Sequence, residues 1–232
     1  MKTLIIILAV IRRTVFNNGV DMDLSSLRRE YCLDNLNEND VLPDPMAQFE
    51  VWLQQVISAG LNDPTAMVVA TVDEAGQPSQ RIVLLKQSDQ DGFVFFTNLG
   101  SRKAQEIKQN SKVCLHFPWH SLERQVIVYG EAQRLSLKQD MSYFLSRPKA
   151  SQLAAWASHQ SHPVKSRDVL MSTFEQMKNK FKTGDISAPT FWGGFRIVPT
   201  KVEFWQGGEH RLHDRIFYQK IDNNWTISRL AP

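Results

Sequence analysis

Near the C-terminus, Arg211-Leu-His-Asp-Arg215 sets three cation-capable side chains at alternate positions. On a strand, period-two alternation would place Arg211, His213 and Arg215 on one face and Asp214 on the other. Like charges crowded together destabilise a sheet face unless carboxylates or a bound anion compensate them. A ligand site is therefore expected here, the alternative being a solvated edge strand. His210 and His213 form an H-x-x-H pair, but an odd separation on a strand splits the two rings between faces. His116 and His120 lack a third ligand, so neither pair reads as a metal site and no metal is expected.

Three further groups of residues suit phosphate chemistry. Tyr143 and Arg147 stand at i and i+4 on one helix face, with Ser151 beyond Pro148. A ring contact, a guanidinium fork and a hydroxyl fit an aromatic phosphate ester, although a helix cap with an exposed arginine explains the same residues. Thr97-Asn-Leu-Gly-Ser-Arg-Lys103 ends a strand and starts a helix whose first turn carries Arg102 and Lys103. Cations at that already electropositive end are unfavourable by about 0.3–1 kcal/mol each unless an anion is bound; two solvated surface charges are the plain alternative. Arg81-Ile-Val-Leu-Leu-Lys86 has cationic ends, yet a separation of five makes them face opposite ways on a regular strand. No G-x-G-x-x-G or Walker A run occurs, so a phosphorylated cofactor would be held by side chains and a helix end. Trp192, Phe204 and Trp205 read mainly as core, with Trp205 placed to border a flat ring.

The elements that must position these groups follow from periodicity and turn residues. An amphipathic helix is expected over residues 46–59, after Asp44-Pro45 and before Gly60. Strands are expected at 66–72, 80–86 and 93–97, joined by hairpin-like turns at 73–76 and 88–92. A short helix follows from Ser101 to about residue 109, then strands at 112–117 and 124–135. Helices at roughly 137–145, 151–158 and 166–181 precede strands at 192–205, 211–220 and 225–229. This order predicts a mainly β chain with α (α+β), an antiparallel Greek-key-like barrel with flanking helices.

Composition narrows the class. The 232 residues are 42% hydrophobic, and Lys+Arg outnumber Asp+Glu only 27 to 24. Such a length buries a substantial core, and no chain-wide basic field points to nucleic acid or to a membrane surface. The two cysteines, Cys32 and Cys114, are far apart, so a reducing cytoplasm is the expected compartment. The apolar run at residues 4–11 is too short to span a bilayer, and Arg12-Arg13 follow it without a small-residue cleavage pattern. Residues 1–21 read as an extension outside the fold, 22–45 as a flexible arm, and 46–232 as a single domain.

Taken together, Arg-Ile-Val-Leu-Leu-Lys, Phe-Phe-Thr-Asn-Leu-Gly-Ser-Arg-Lys-Ala, Glu-Arg-Gln-Val, Ser-Arg-Pro, Phe-Trp-Gln-Gly-Gly-Glu-His-Arg-Leu-His-Asp-Arg and the closing Arg-Leu-Ala-Pro closely resemble the pyridoxamine 5'-phosphate oxidase family. The likeness runs from about Leu27 to Pro232. It implies an FMN-binding split barrel, built as a homodimer with two active sites at the subunit interface.

By the same resemblance, FMN is held by Arg81, Ile82, Val83, Leu84, Leu85 and Lys86, by Phe96 and Thr97, by Arg102 and Lys103, and by Gln125. Gln160, Ser161, Trp205 and Arg215 are implied to come from the other subunit. The substrate would meet Lys86, Tyr143, Arg147 and Ser151, with Arg211, Leu212 and His213 near the reacting carbon and Arg28 and Tyr31 closing over it. Phe96 stands where members often have Tyr, so no hydroxyl contact is expected there. The implied reaction oxidises pyridoxamine 5'-phosphate or pyridoxine 5'-phosphate to pyridoxal 5'-phosphate, as in vitamin B6 salvage. Hydride passes from C4' to flavin N5 and O2 reoxidises the flavin to give hydrogen peroxide, with Arg211 and His213 aligning the reacting groups.

Two other classes explain parts of the pattern. A split-barrel reductase or flavin-binding module would keep the flavin residues but have no use for Tyr143, Arg147, Arg211 and His213. A nucleic-acid or anionic-surface binder would use the local basic patches, bind in a strongly salt-dependent way and be colourless.

Overall fold

Asp44 opens the first helix in the computed structural model, which describes residues 23–232. Its carboxylate accepts the Met46 N–H at 2.9 Å, Pro45 takes the first turn, and α1 (Pro45–Ser58) follows. Gly60, at φ +71°, stops it. Phe49, Trp52 and Val56 form its buried face. The extension read at residues 1–21 lies outside the described residues.

The chain then runs β1 (Ala66–Val72), β2 (Pro78–Leu84), β3 (Gln87–Asp89), β4 (Gly92–Asn98), α2 (Arg102–Gln109), β5 (Lys112–Trp119) and β6 (Arg124–Arg134). Next come α3 (Leu137–Ser146), α4 (Lys149–Ala157), α5 (Arg167–Lys180), β7 (Trp192–Gln206), β8 (Asp214–Ile221) and β9 (Asn224–Arg229). The strands form one antiparallel sheet in the order β2-β1-β5-β6-β7-β4-β3, with β8 added to β7 and β9 to β8. Expected strands recur within a few residues, but β3 replaces part of the turn expected at 88–92. The last long strand begins at Asp214 instead of Arg211.

Alternation supplies the core. Met67 and Val69, Leu115 and Phe117, Val126 and Val128, Val202 and Phe204, Ile216 and Tyr218 all point inward and pack with α1. Phe49 meets Phe93 and Phe117 with ring centroids 4.8 Å apart in each case. The sheet curls into a half-barrel, so its end strand β2 approaches β4. These two strands share no ladder; just beyond β2, the Lys86 N–H donates to the Val94 carbonyl at 2.8 Å. A second apolar cluster, Phe144, Ile186 and Trp192, packs the helical segment against that opening.

The chain divides into two compact units at Glu30/Tyr31. In the first, residues 23–30, Asp23 accepts the Ser25 N–H at 2.9 Å and Arg28 Nε donates to the Ser25 carbonyl at 3.0 Å. In the second, the stretch 31–44 before α1 has no regular structure but is fastened to the sheet. Glu123 Oε2 accepts the Cys32 and Leu33 N–H groups at 2.9 and 3.1 Å, and Asp214 Oδ2 accepts that of Leu36 at 2.9 Å. Arg124 pairs with Asp34 at 2.8 Å, and the Tyr218 hydroxyl donates to the Leu42 carbonyl at 2.7 Å.

Candidate active site

Where β2 and β4 face each other, a cavity of about 250 Å³ opens. Edge strand β2 gives it Ile82, Val83 and Leu84, and the end of β4 gives Phe96 and Thr97. Lys103 enters from the first turn of α2, Tyr143 and Arg147 from the end of α3, Gln160 from the loop after α4, and Trp192 from the start of β7. Lys86 also lines it. Arg81 and Lys86 are opposed as their separation of five implies: Lys86 shares the parity of Ile82 and Leu84, which line the cavity with it. Arg81 lies outside this lining but close enough to Lys103 for its charge to act on it, and it donates to the Val69 carbonyl at 3.1 Å and to the Thr71 and Ser79 hydroxyls at 2.6 Å each.

Two cations here lack the partners that burial demands. Lys103 is 6% exposed, and its Nζ reaches Thr97 Oγ1 at 3.1 Å and Gln160 Oε1 at 2.9 Å, both neutral. Burial, with the nearby Arg81 charge, pushes its pKa down to about 8. Arg147 Nη1 is buried with no hydrogen-bond partner, and burial lowers the pKa of this guanidinium. An unmatched buried donor is costly, so each is a place where an anion would stabilise the fold. Between them the Phe96 ring stacks on Tyr143 at 4.0 Å and on Trp192 at 5.1 Å, nearly parallel to both. Trp192, read from sequence as core, is both: it is 7% exposed and walls the cavity.

Gln160, expected from a partner subunit, already sits on Thr97 and Lys103 of its own chain, and the Thr97 hydroxyl donates to its Oε1 at 2.9 Å. Ser161 follows it with a left-handed φ of +70°. Arg102, at the start of α2, donates from Nε to Glu106 at 2.7 Å. Ser151, in the first turn of α4, and Leu85, buried in the main core, do not line the cavity.

A second group gathers elsewhere on the sheet. His213 packs against Trp205 at 4.8 Å, and Tyr31 stands edge-on to both, at 5.5 Å from His213 and 5.7 Å from Trp205. His213 Nδ1 accepts the Gly208 N–H at 3.2 Å. Gln125 pairs with Trp205 across β6 and β7 and contacts His116 Nε2 at 3.1 Å. Arg215 forks onto Glu203 at 2.8 and 3.0 Å.

The single-face alignment of Arg211, His213 and Arg215 is corrected here. Residues 209–211 form a 3-10 turn in which His210 and Arg211 take φ of +55° and +64°. Strand alternation therefore does not extend back to them. Arg211 and Leu212 are exposed on this turn, and Asp214, the first strand residue, is half-buried.

The two groups are separate within one chain. The cross-strand row Ile82–Val68–His116–Ile127–Glu203 takes four strand steps from the cavity to the neighbour of Trp205. Those steps are roughly 19 Å along the sheet. Among the described residues no cluster of His, Cys, Asp and Glu could hold a metal ion, and no helix is long and apolar enough to cross a membrane.

Comparison with known proteins matches this architecture. Residues 53–181 fit the family described as "Pyridoxamine 5'-phosphate oxidase", and residues 192–232 fit the "Pyridoxine 5'-phosphate oxidase C-terminal dimerisation region". The pyridoxine/pyridoxamine 5'-phosphate oxidase of Pseudoalteromonas translucida is 65% identical over 212 residues, covering 91% of this chain and all of that one. The protein of the same name from Vibrio cholerae is 60% identical over 211 residues, again covering 91% and all of it. Among solved structures, PhzG from Burkholderia lata, in complex with tetrahydrophenazine-1-carboxylic acid, superposes with a TM-score of 0.81. It is 25% identical, over 86% of this chain and 98% of that one. A pyridoxamine 5'-phosphate oxidase-related, FMN-binding protein from Nostoc punctiforme shares the fold at a TM-score of 0.66 and 16% identity, over 79% and 97% of the two chains. The chain belongs to the pyridoxamine 5'-phosphate oxidase family.

Proposed function

We propose that this protein is an FMN-dependent oxidase that converts pyridoxamine 5'-phosphate and pyridoxine 5'-phosphate to pyridoxal 5'-phosphate, acting as a homodimer whose sites draw on both subunits. The observation that carries this reading is the pair of anion-ready cations in one cavity: Lys103 buried among neutral acceptors, and Arg147 with an unmatched Nη1. Two phosphates, one on the cofactor and one on the substrate, answer those two needs. The residues present thus fit the cofactor that the family relationship implies.

In this reading Arg81, Arg102, Lys103 and Thr97 hold the FMN phosphate, and the exposed edge of β2 at Ile82–Leu84 borders its ring. Arg147 takes the substrate phosphate, with Tyr143 and Lys86 around the pyridine. FMN, when bound, supplies the two-electron oxidation at C4', with O2 as final acceptor. A cavity of about 250 Å³ falls below the ~300–1000 Å³ usual for ligand sites, and a wall from a second subunit would complete it. We assign that wall to Gln125, Trp205, Arg211, His213 and Arg215 of the partner copy, where Arg211 and His213 orient the reacting carbon. Tyr31 is assigned to the cover over the substrate. The match of residues 192–232 to a dimerisation region supports this arrangement. Cys32 and Cys114 are both free thiols, in keeping with a cytoplasmic enzyme.

Mixing tests the reading. At substrate well below KM, Arg147→Ala and Arg211→Ala should each lose most of their activity, yet coexpressed chains should recover about one quarter of wild-type activity, because half the dimers carry one intact site. Folded, dimeric mixtures with no recovery would place the whole site on one chain. Purified protein without flavin or oxygen uptake would remove the oxidase reading itself.

A further inference from the structure

Glu106 lies on α2, one turn beyond Arg102, with its side chain 4% exposed. Its carboxylate accepts from the Thr71 hydroxyl, from the Ser79 hydroxyl at 2.8 Å and from Arg102 Nε at 2.7 Å, and lies 3.5 Å from Arg81 Nη2. The same Thr71 and Ser79 hydroxyls accept from Arg81 at 2.6 Å each. One carboxylate thus joins β1, β2 and α2 through both arginines assigned to the cofactor phosphate.

A buried carboxylate beside a phosphate site needs a reason, because it costs desolvation and repels the ligand. The charge count supplies one. Arg81, Arg102 and Lys103 against Glu106 leave two positive charges, the complement of a phosphate monoester dianion. The geometry supplies another. Arg102 has a side chain 56% exposed, and without Glu106 it loses the ion pair that orients it. We propose that Glu106 is a positioning residue of the cofactor site, which holds the Arg81 and Arg102 guanidiniums ready for a phosphate monoester and so sets the preference for FMN over riboflavin. This rests on the flavin reading above.

The test compares FMN and riboflavin binding to apo-protein by quenching of flavin fluorescence, in wild type and Glu106→Gln. FMN should weaken by about tenfold or more, as expected for disturbed charge-assisted hydrogen bonds, while riboflavin, which has no phosphate, keeps its affinity. Equal weakening of both flavins would make Glu106 only a brace of the fold and overturn the proposal. Unchanged or tighter FMN binding would also overturn it. If Glu106→Gln does not fold, Ser79→Ala removes one hydroxyl shared by Arg81 and Glu106 and keeps the carboxylate. It should weaken FMN alone, and an equal or absent effect on the two flavins counts against the proposal. A wild-type protein that does not prefer FMN overturns the underlying flavin reading, an outcome visible before any variant is made.

Discussion

The guanidinium of Arg147 rests over the Trp192 ring, 5.0 Å from carbon to ring centre. The tryptophan fixes the plane of the fork while leaving Nη1 without a partner. Arg147→Ala should therefore raise the KM for pyridoxamine 5'-phosphate by roughly 10- to 100-fold, as expected for losing charge-assisted hydrogen bonds. Flavin content should stay at the wild-type level. Steady-state kinetics beside the flavin absorbance ratio check this, and loss of flavin with an unchanged KM would contradict it.

Arg211 should separate from flavin binding in the same way but act on turnover. Its side chain is exposed on a left-handed turn that alanine keeps as readily as arginine. Arg211→Ala is expected to lower kcat/KM by about 100-fold, the scale of a lost orienting contact, with FMN retained and the melting temperature close to wild type. Wild-type kinetics in this variant would remove Arg211 from the reaction.

Lys103 makes FMN binding depend on pH. Its pKa is about 8 in the apo-protein against an ordinary 10.5. The cost of keeping it charged in the fold is therefore full below about 8 and gone above 10.5, and this group's effect on apo stability improves as pH rises through that window. A bound phosphate has the opposite effect on the lysine and draws a proton back. Near pH 9, FMN binding should take up protons and weaken with rising pH. Calorimetry in two buffers of different ionisation enthalpy measures the uptake, which Lys103→Met should abolish; identical heats in wild type would refute the assignment.

Gly194 couples stability to the aromatic stack. A Cβ there would lie 2.7 Å from side-chain atoms of both Leu135 and Phe96. Gly194→Ala should cost roughly 1–3 kcal/mol by overpacking, read as a lower urea midpoint, and should loosen flavin by shifting Phe96. An unchanged midpoint would show that the stack has room.

Much of this site was legible because its local signals were independent of tertiary packing. The span expected as 46–59 appears as Pro45–Ser58, fixed by Asp44, Pro45 and Gly60. Tyr143 and Arg147 shared a helix face by spacing alone, and the cationic start of α2 pointed to an anion. What failed was non-local or conformational. Nothing in His-Arg-Leu-His-Asp-Arg, residues 210–215, marks His210 and Arg211 as left-handed, since neither is glycine. Glu106 is an ordinary helical glutamate until Thr71, Ser79 and Arg81 converge on it from two strands. Trp192 has the composition of a core residue, and only the fold shows that one of its faces borders a cavity.

Glu123 joins two segments through one residue: its side chain takes the Cys32 and Leu33 N–H groups, and its carbonyl takes that of Gly207 at 2.7 Å. Hydrogen–deuterium exchange at these three amides should consequently report a single opening event. The Tyr31 segment and the glycine turn leading to His213 therefore hang on one residue, so that whatever loosens the first contact also slackens the second.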